Sequence, residues 1–469
     1  MADYSSNQFK NELNQILNNY RNLRNEFAHQ FIDEDTFEII IDYYDEREQL
    51  QKALEAANFG VAQFPYSSVL LLKKADLLIA TTKYNEALEI LEQASLLDAG
   101  DLNLYILKTD AYLATDQQHK AIVLLEEVLH LFDGKEKIEL LFELADVYDD
   151  HENFEKVFDC LVYILQIDGT NEEALYKICY WADHTKRNDE SITLHLHLID
   201  QNPYSELAWF NLGSAYQGIK LYEKSIDAYK YVLAINEKFD FAYRNIGDAY
   251  MRLRKYKDAI EHLLKVLELA KPEEVIYQAL GYCYEKLKQP AEARFYYKKA
   301  VHLNPDNASL HYKIAVTYML QEQWKNAIKL LETSLKVFRL HPEFNFAMAK
   351  CYFQLDNFEQ TIHYVSNTLA IKQNSAKAWE LLLISCYTKQ EYNDGLDFCE
   401  TALNATNFKT IFLYYKVAFL QAVGSTTEAL NTLHKALAIA PKQLKYLIEL
   451  NPSLLLHPQF VACIVQYKH

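Results

Sequence analysis

Glycine and proline are scarce, at ten and nine in 469 residues. That scarcity excludes collagen-like and low-complexity architectures, and with no stretch rich in Pro, Gly or Ser no flexible linker is visible. Seven cysteines (Cys160, Cys179, Cys283, Cys351, Cys386, Cys399, Cys463) are scattered, odd in number and never spaced as CxxC. This argues against a disulfide framework and a zinc knuckle, and fits a reducing cytoplasm in which the thiols act as small buried hydrophobes. No apolar run approaches the roughly 18 residues of a membrane span, and the amino terminus MADYSSNQFK lacks the basic region and apolar stretch of a signal peptide. The sequence therefore points to a soluble, cytoplasmic chain. Valine, isoleucine and threonine nowhere alternate with polar residues over a strand's length.

Signatures of chemistry are missing too. No HExxH, GxSxG or GxGxxG occurs. Gly213 and Gly218 are five apart, as in a phosphate-binding loop, but Ile219-Lys220-Leu221 follows in place of Gly-Lys-Ser/Thr. His195 and His197 are two apart, so on a helix they diverge and cannot share a metal. The expectation is a chain that is not an enzyme and uses no cofactor or metal. The densest basic cluster, Arg252, Arg254, Lys255 and Lys257 in RLRKYK, reads as a solvated turn in a chain of net charge −18. Neither nucleic acid nor membrane is an expected partner.

What the chain has in abundance is hydrophobic residues, 50% of the total, recurring at i, i+3, i+4 and i+7. It also repeats itself. WFNLGSAYQGIKLYEKSI at 209–226 returns as YRNIGDAYMRLRKYKDAI at 243–260 and as YQALGYCYEKLKQPAEAR at 277–294, with Gly213, Gly247 and Gly281 on a 34-residue ruler. Each copy carries two amphipathic helices and so predicts a helical hairpin. Ala75, Ala145, Ala315 and Ala349 share the glycines' position, and Ala53, Ala87, Ala121, Ala259, Ala293, Ala327 and Ala429 share one on the second helix. Small residues at both places let the two backbones approach closely. Pro65, Pro203, Pro305 and Pro441 fall just beyond the second helix, where proline stops it.

This pattern resembles the tetratricopeptide repeat (TPR), whose W-x2-L-G-x2-Y…A-x3-F…P signature is met by Trp209, Leu212, Gly213, Tyr216, Tyr229 and, one repeat on, Ala259. The ruler predicts twelve hairpins starting at 34, 68, 102, 138, 172, 206, 240, 274, 308, 342, 376 and 410, with two extra residues near Asp133-Gly134. The fold class expected is all-α, a solenoid that the resemblance implies is wound into a right-handed superhelix. The expected divisions are a capping helix over 1–33, an acidic array of five repeats over 34–205, a near-neutral array of seven over 206–443, and capping helices over 444–469. Phe9, Leu13, Leu17, Tyr20 and Phe27 supply the apolar spacing of the first cap.

Charge divides the chain in a similar way. Residues 1–200 hold 39 Asp and Glu against 16 Lys and Arg, whereas 201–469 hold 26 against 31. Asp42, Asp76, Asp110 and Asp146 occupy one repeat position, the ninth, in four successive hairpins, and Asp248 recurs there. The resemblance implies that this position faces a concave groove, which would carry an acidic stripe. Aromatic side chains take neighbouring groove positions further along. Tyr176, Phe210, Tyr312, Phe346 and Tyr414 stand at the fifth, Tyr180 and Tyr282 at the ninth, and Arg244, Asn211 and Asn245 complete the candidate set. Paired amides can grip a peptide backbone through both donor and acceptor. The clamp by which chaperone-binding repeats hold a C-terminal carboxylate is not matched.

The function expected is a scaffold holding a partner protein or peptide with a basic segment, Lys or Arg falling about every third residue to match the hairpin spacing. Two alternatives stand beside it: a regulator whose superhelix changes pitch on binding a short peptide, and an enzyme built on the solenoid.

Overall fold

Six of the twelve hairpins start on a short polar side chain. Asp33, Ser67, Asp101, Asn171, Ser205 and Asn307 each precede a helix and accept from a backbone N–H two or three residues on, Asp33 from Thr36 at 2.8 Å and Asn171 from Ala174 at 2.9 Å. These six open the first helix of a hairpin. The second helix of each hairpin is launched by the tight turn that precedes it.

The computed structural model describes residues 15–21 and 32–467, and no strand occurs among them. The chain forms two compact units, Met1–Glu237 and Lys238–His469. In the first, the hairpins pair α1 (Glu34–Asp45) with α2 (Leu50–Gln63), α3 (Ser68–Ala80) with α4 (Tyr84–Leu97), and α5 (Leu102–Leu113) with α6 (Gln118–Val128). They continue with α7 (Gly134–Asp150) and α8 (Phe154–Ile167), α9 (Glu172–His184) and α10 (Asn188–Gln201), and α11 (Glu206–Gly218) and α12 (Tyr222–Ile235).

The second unit pairs α13 (Asp240–Arg252) with α14 (Tyr256–Leu269), α15 (Glu274–Lys286) with α16 (Pro290–Leu303), and α17 (Ala308–Met319) with α18 (Trp324–Val337). It adds α19 (Pro342–Gln354) with α20 (Phe358–Ile371), α21 (Ala376–Thr388) with α22 (Tyr392–Ala405), and α23 (Ile411–Ala422) with α24 (Thr426–Ile439). Short helices α25 (Leu444–Leu450) and α26 (Pro458–Val465) follow.

Twelve hairpins are therefore present among the described residues, on the ruler read from the sequence. The insertion near Gly134 lengthens α7 at its front. Each helix packs on its partner, and odd-numbered helices also touch one another: α1 on α3, α3 on α5, α5 on α7 and α9 on α11 in the first unit, α17 on α19, α19 on α21 and α21 on α23 in the second. The odd helices thus build one continuous face within each of these runs.

Close approach inside the hairpin is real. A Cβ added to Gly213 would lie 2.6 Å from the Tyr229 ring, and one on Gly281 2.5 Å from the Tyr297 ring. Both tyrosines are fully buried, and the ring of each fills the space that a side chain on the facing helix would need. At the ends, Leu17 and Tyr20 are buried against Phe37, Ile40, Ile41 and Tyr44 of α1, while Leu447, Leu454, Phe460 and Cys463 close over α23 and α24. Phe9, Leu13 and Phe27 lie outside the described residues.

The turn between paired helices repeats as strictly as the helices. Its penultimate residue, the fifteenth of each hairpin, is left-handed in all twelve: eleven non-glycine residues with φ of 56° to 65°, and Gly424 with φ 85°. The following N–H then closes the first helix, Lys83 on the Leu78 carbonyl and Leu221 on the Tyr216 carbonyl, each at 2.8 Å. Glycine is the low-cost residue here, yet only the last hairpin has it. Thr82, exposed and β-branched at φ 61°, carries the largest penalty by residue type.

Two substitutions should consequently act in opposite directions. Thr82→Gly should slow amide exchange in α3 and α4, a gain of roughly 0.5–1 kcal/mol from relieved backbone strain. Gly213→Ala should speed exchange in α11 and α12, because the displaced Tyr229 ring costs about 1–3 kcal/mol and improved helix propensity returns only about 1.

Candidate functional site on the odd-helix face

The four aspartates of the stripe lie on the face built by the odd helices, and they feel one another across hairpins. Asp42 on α1 pairs with Lys73 on α3, and Asp146 on α7 lies 3.8 Å from Lys177 on α9. Both lysines occupy the sixth position of the next hairpin, which stacking places beside the ninth of the one before. Between these ends the compensation stops. Asp76, Asp110 and Glu143 have no ion pair among the described residues.

Their titration reflects this. Asp76 and Asp110 reach water, but flanking groove walls strip part of their hydration and raise both carboxyls above the ordinary aspartate range. Repulsion adds to the rise, from Asp45 on Asp76, where Lys73 partly opposes it, and from Asp76 on Asp110. Half-buried Glu143 is raised by lost hydration, then by Asp110, Asp146 and Glu139. A run of like charges, each sensing the one a hairpin away, is an arrangement that a cation entering from outside would relieve.

Beyond this run, Tyr176 and Tyr180 on α9 are 64% and 62% exposed, wide open at the end of the acidic row. Tyr180 packs edge-on against Trp181 at 4.9 Å. Phe210 is half-buried against Tyr229, at 5.4 Å between centroids. Two sequence expectations are corrected. Asn211 is buried, and its amide donates to the Leu175 carbonyl at 2.7 Å, so it bolts α11 to α9 and offers nothing to a ligand. Tyr414 is fully buried with its hydroxyl on the Ala440 carbonyl at 2.8 Å, because the closing segments cover α23.

In the second unit Asn245 is half-buried, Arg244 pairs with Glu273, and Asp248 lies 3.5 Å from Arg252. Tyr282 is partly exposed with Lys286 over its ring, and Tyr312 and Phe346 line an open pocket of about 680 Å³. Sequence reasoning missed Lys73, Glu143, Lys177 and Lys313. They belong to the sixth position, which reads as mixed charge along the chain and acquires meaning only when the next hairpin is stacked beside it.

His195 is wholly buried, donating from Nδ1 to the Ser191 carbonyl at 2.7 Å, and burial lowers its pKa to about 4, while His197 faces water. Burial pushes the Cys160, Cys283, Cys351 and Cys386 thiols up to about 12, which suppresses their nucleophilic form. Among the described residues no group of three His, Cys, Asp or Glu could hold a metal ion, and no helix is long and apolar enough to cross a membrane.

Known families agree with the geometry. The model described as the C-terminal ARM domain of tetratricopeptide repeat protein 21 matches residues 211–346, and that of anaphase-promoting complex, cyclosome, subunit 3 matches 321–402. The fold is a TPR-like α solenoid. Sequence comparison with curated proteins finds no match.

Similar solved structures include the C-terminal part of a TPR repeat-containing protein from Cytophaga hutchinsonii, 13% identical, covering 54% of this chain and 99% of that one with a TM-score of 0.42. Another is pilF of Pseudomonas aeruginosa, 15% identical over 45% of this chain and 97% of its own, TM-score 0.38. YrrB, described as a TPR protein with an unusual peptide-binding site, is 18% identical over 39% of this chain and 95% of its own, TM-score 0.36. TPR arrays generally act as non-catalytic scaffolds that bind proteins or peptides.

A raised folded-state pKa means that the stripe stabilises the fold when protonated and loses that contribution as pH rises through the raised value. Asp110→Asn should therefore stabilise the fold at pH 7 and low salt by a few tenths of a kcal/mol given solvent screening, read as a higher melting temperature. The gain should vanish below pH ~4, where the wild-type carboxyls are protonated, and shrink in high salt.

Proposed function

We propose that the first unit holds a basic segment of a partner polypeptide along its odd-helix face. The observation carrying this reading is the run Asp76, Asp110, Glu143, which has no ion pair among the described residues and is bounded by the Lys73 and Lys177 ion pairs. Its length supports a short segment. Packed helices stand about 8–10 Å apart, and an extended chain covers that in three residues, so Lys or Arg at every third place would meet successive carboxylates. A guanidinium continuing past Lys177 would meet the open faces of Tyr176 and Tyr180, where stacking adds to charge. Such recognition is steered by charge and read mainly in association rate and salt dependence.

The reading extends the scaffold role of TPR arrays and needs no chemistry from the chain. Asn211 plays no part in it. The test is fluorescence anisotropy of a labelled peptide bearing Lys at every third residue, with the intact chain and its Asp76→Asn/Asp110→Asn double variant. Roughly tenfold weaker binding in the variant, and steep weakening with salt in the wild type, are expected. Equal affinity for both proteins would remove the stripe as the site.

A further inference from the structure

The same face of the second unit has the opposite character. Between α17 and α19 lies the pocket of about 680 Å³, walled by Tyr312, Met319, Trp324, Phe346, Phe353 and Leu381, with Lys350 and Glu343 at its edge. A smaller hollow of about 340 Å³ adjoins α15, lined by Val275, Gln278 and Tyr282 together with Lys313 from α17. The fifth and ninth positions, occupied in the first unit by acidic and aromatic side chains, here carry Tyr312, Phe346, Tyr282 and Lys350.

Cations on this face are presented in two ways. Arg244 and Arg252 are spent on Glu273 and Asp248. Lys286 and Lys350 are instead laid over aromatic rings, 4.9 Å from the centroid of Tyr282 and 4.7 Å from that of Phe346, and neither has an ion pair among the described residues. Lys313 is the sharpest case. It is half-buried, its ammonium lies 5.7 Å from the Tyr297 ring centroid, and no carboxylate stands within ion-pair distance among the described residues. Lost hydration lowers its pKa, against the pull of Glu285 and Glu274. A half-buried lysine without a counter-ion is costly to keep, and a carboxylate brought from outside would supply the missing charge.

We infer that the α15–α19 face is a separate docking site for a peptide segment in which Asp or Glu stands next to a large apolar side chain. The carboxylate would meet Lys313, and the apolar side chain would enter the pocket between Tyr312 and Phe346. This rests on the reading of TPR faces as polypeptide-binding surfaces and adds a second specificity, opposite in charge to the first. A segment suited to one face is repelled or unpaired at the other, so the two sites sort different segments.

A random peptide library displayed on phage and panned against the intact chain tests this directly. Enrichment of peptides with Asp or Glu beside Phe, Leu or Trp is expected. The affinity of an enriched peptide should fall about tenfold or more with Lys313→Met, survive Lys313→Arg, fall when its acid is changed to the amide, and stay unchanged with Asp110→Asn. Helical circular dichroism of the Lys313→Met variant should match the wild type, since methionine keeps most of the stem. Enrichment of no such peptide, or equal binding by the Lys313→Met protein, would overturn the inference. The Asp110→Asn arm separates its failure from that of the acidic stripe.

Discussion

The structure depends on how closely the two helices of a hairpin can approach. At Gly213 and Gly281 the facing tyrosine ring occupies the volume of a Cβ. Rigid pairing of this kind makes the hairpins congruent, and the left-handed residue that closes each turn keeps their geometry alike from first to last. Congruent units stack with a fixed step. Equal positions in sequence thereby become neighbours in space.

Charge inherits this order. A single aspartate on a helix surface is screened and worth little, but one at the same place in successive hairpins meets its like at a distance close to the ~8 Å screening length of physiological salt. The chain answers the repulsion at the ends, with Lys73 and Lys177, and leaves it standing in the middle at Asp76, Asp110 and Glu143. Repulsion retained where one lysine would cancel it is a cost in stability that a bound cation would recover. In the second unit the corresponding surface keeps lysines over rings and an apolar pocket, so the same scaffold presents two kinds of surface.

The hairpins were legible because their signal is redundant: small residues and tyrosines recurring at the same places on one 34-residue ruler leave few alternative folds. Asn211 and Tyr414 misled because a column in the sequence predicts a face but not its depth. Asn211 is drawn under by its bond to Leu175, and Tyr414 is covered by segments that belong to no repeat. The turn residue was invisible for the opposite reason. Glu, Thr, Lys, Arg and Gln all adopt the left-handed conformation there, so the backbone requirement leaves no mark in composition. Lys73, Glu143, Lys177 and Lys313 stand three residues before the stripe's position in their hairpins, and Lys73 and Lys177 meet stripe aspartates only across hairpins, at a separation of 31 residues in both cases.

Zero-length carbodiimide cross-linking read by mass spectrometry tests the stacking register most directly, since it joins only amines and carboxylates already in contact. The account predicts links of Lys73 to Asp42 and of Lys177 to Asp146, with Asp110 joined to no lysine. Links from Asp76 or Asp110 to lysines of the even-numbered helices would place the aspartates on the opposite side and contradict it.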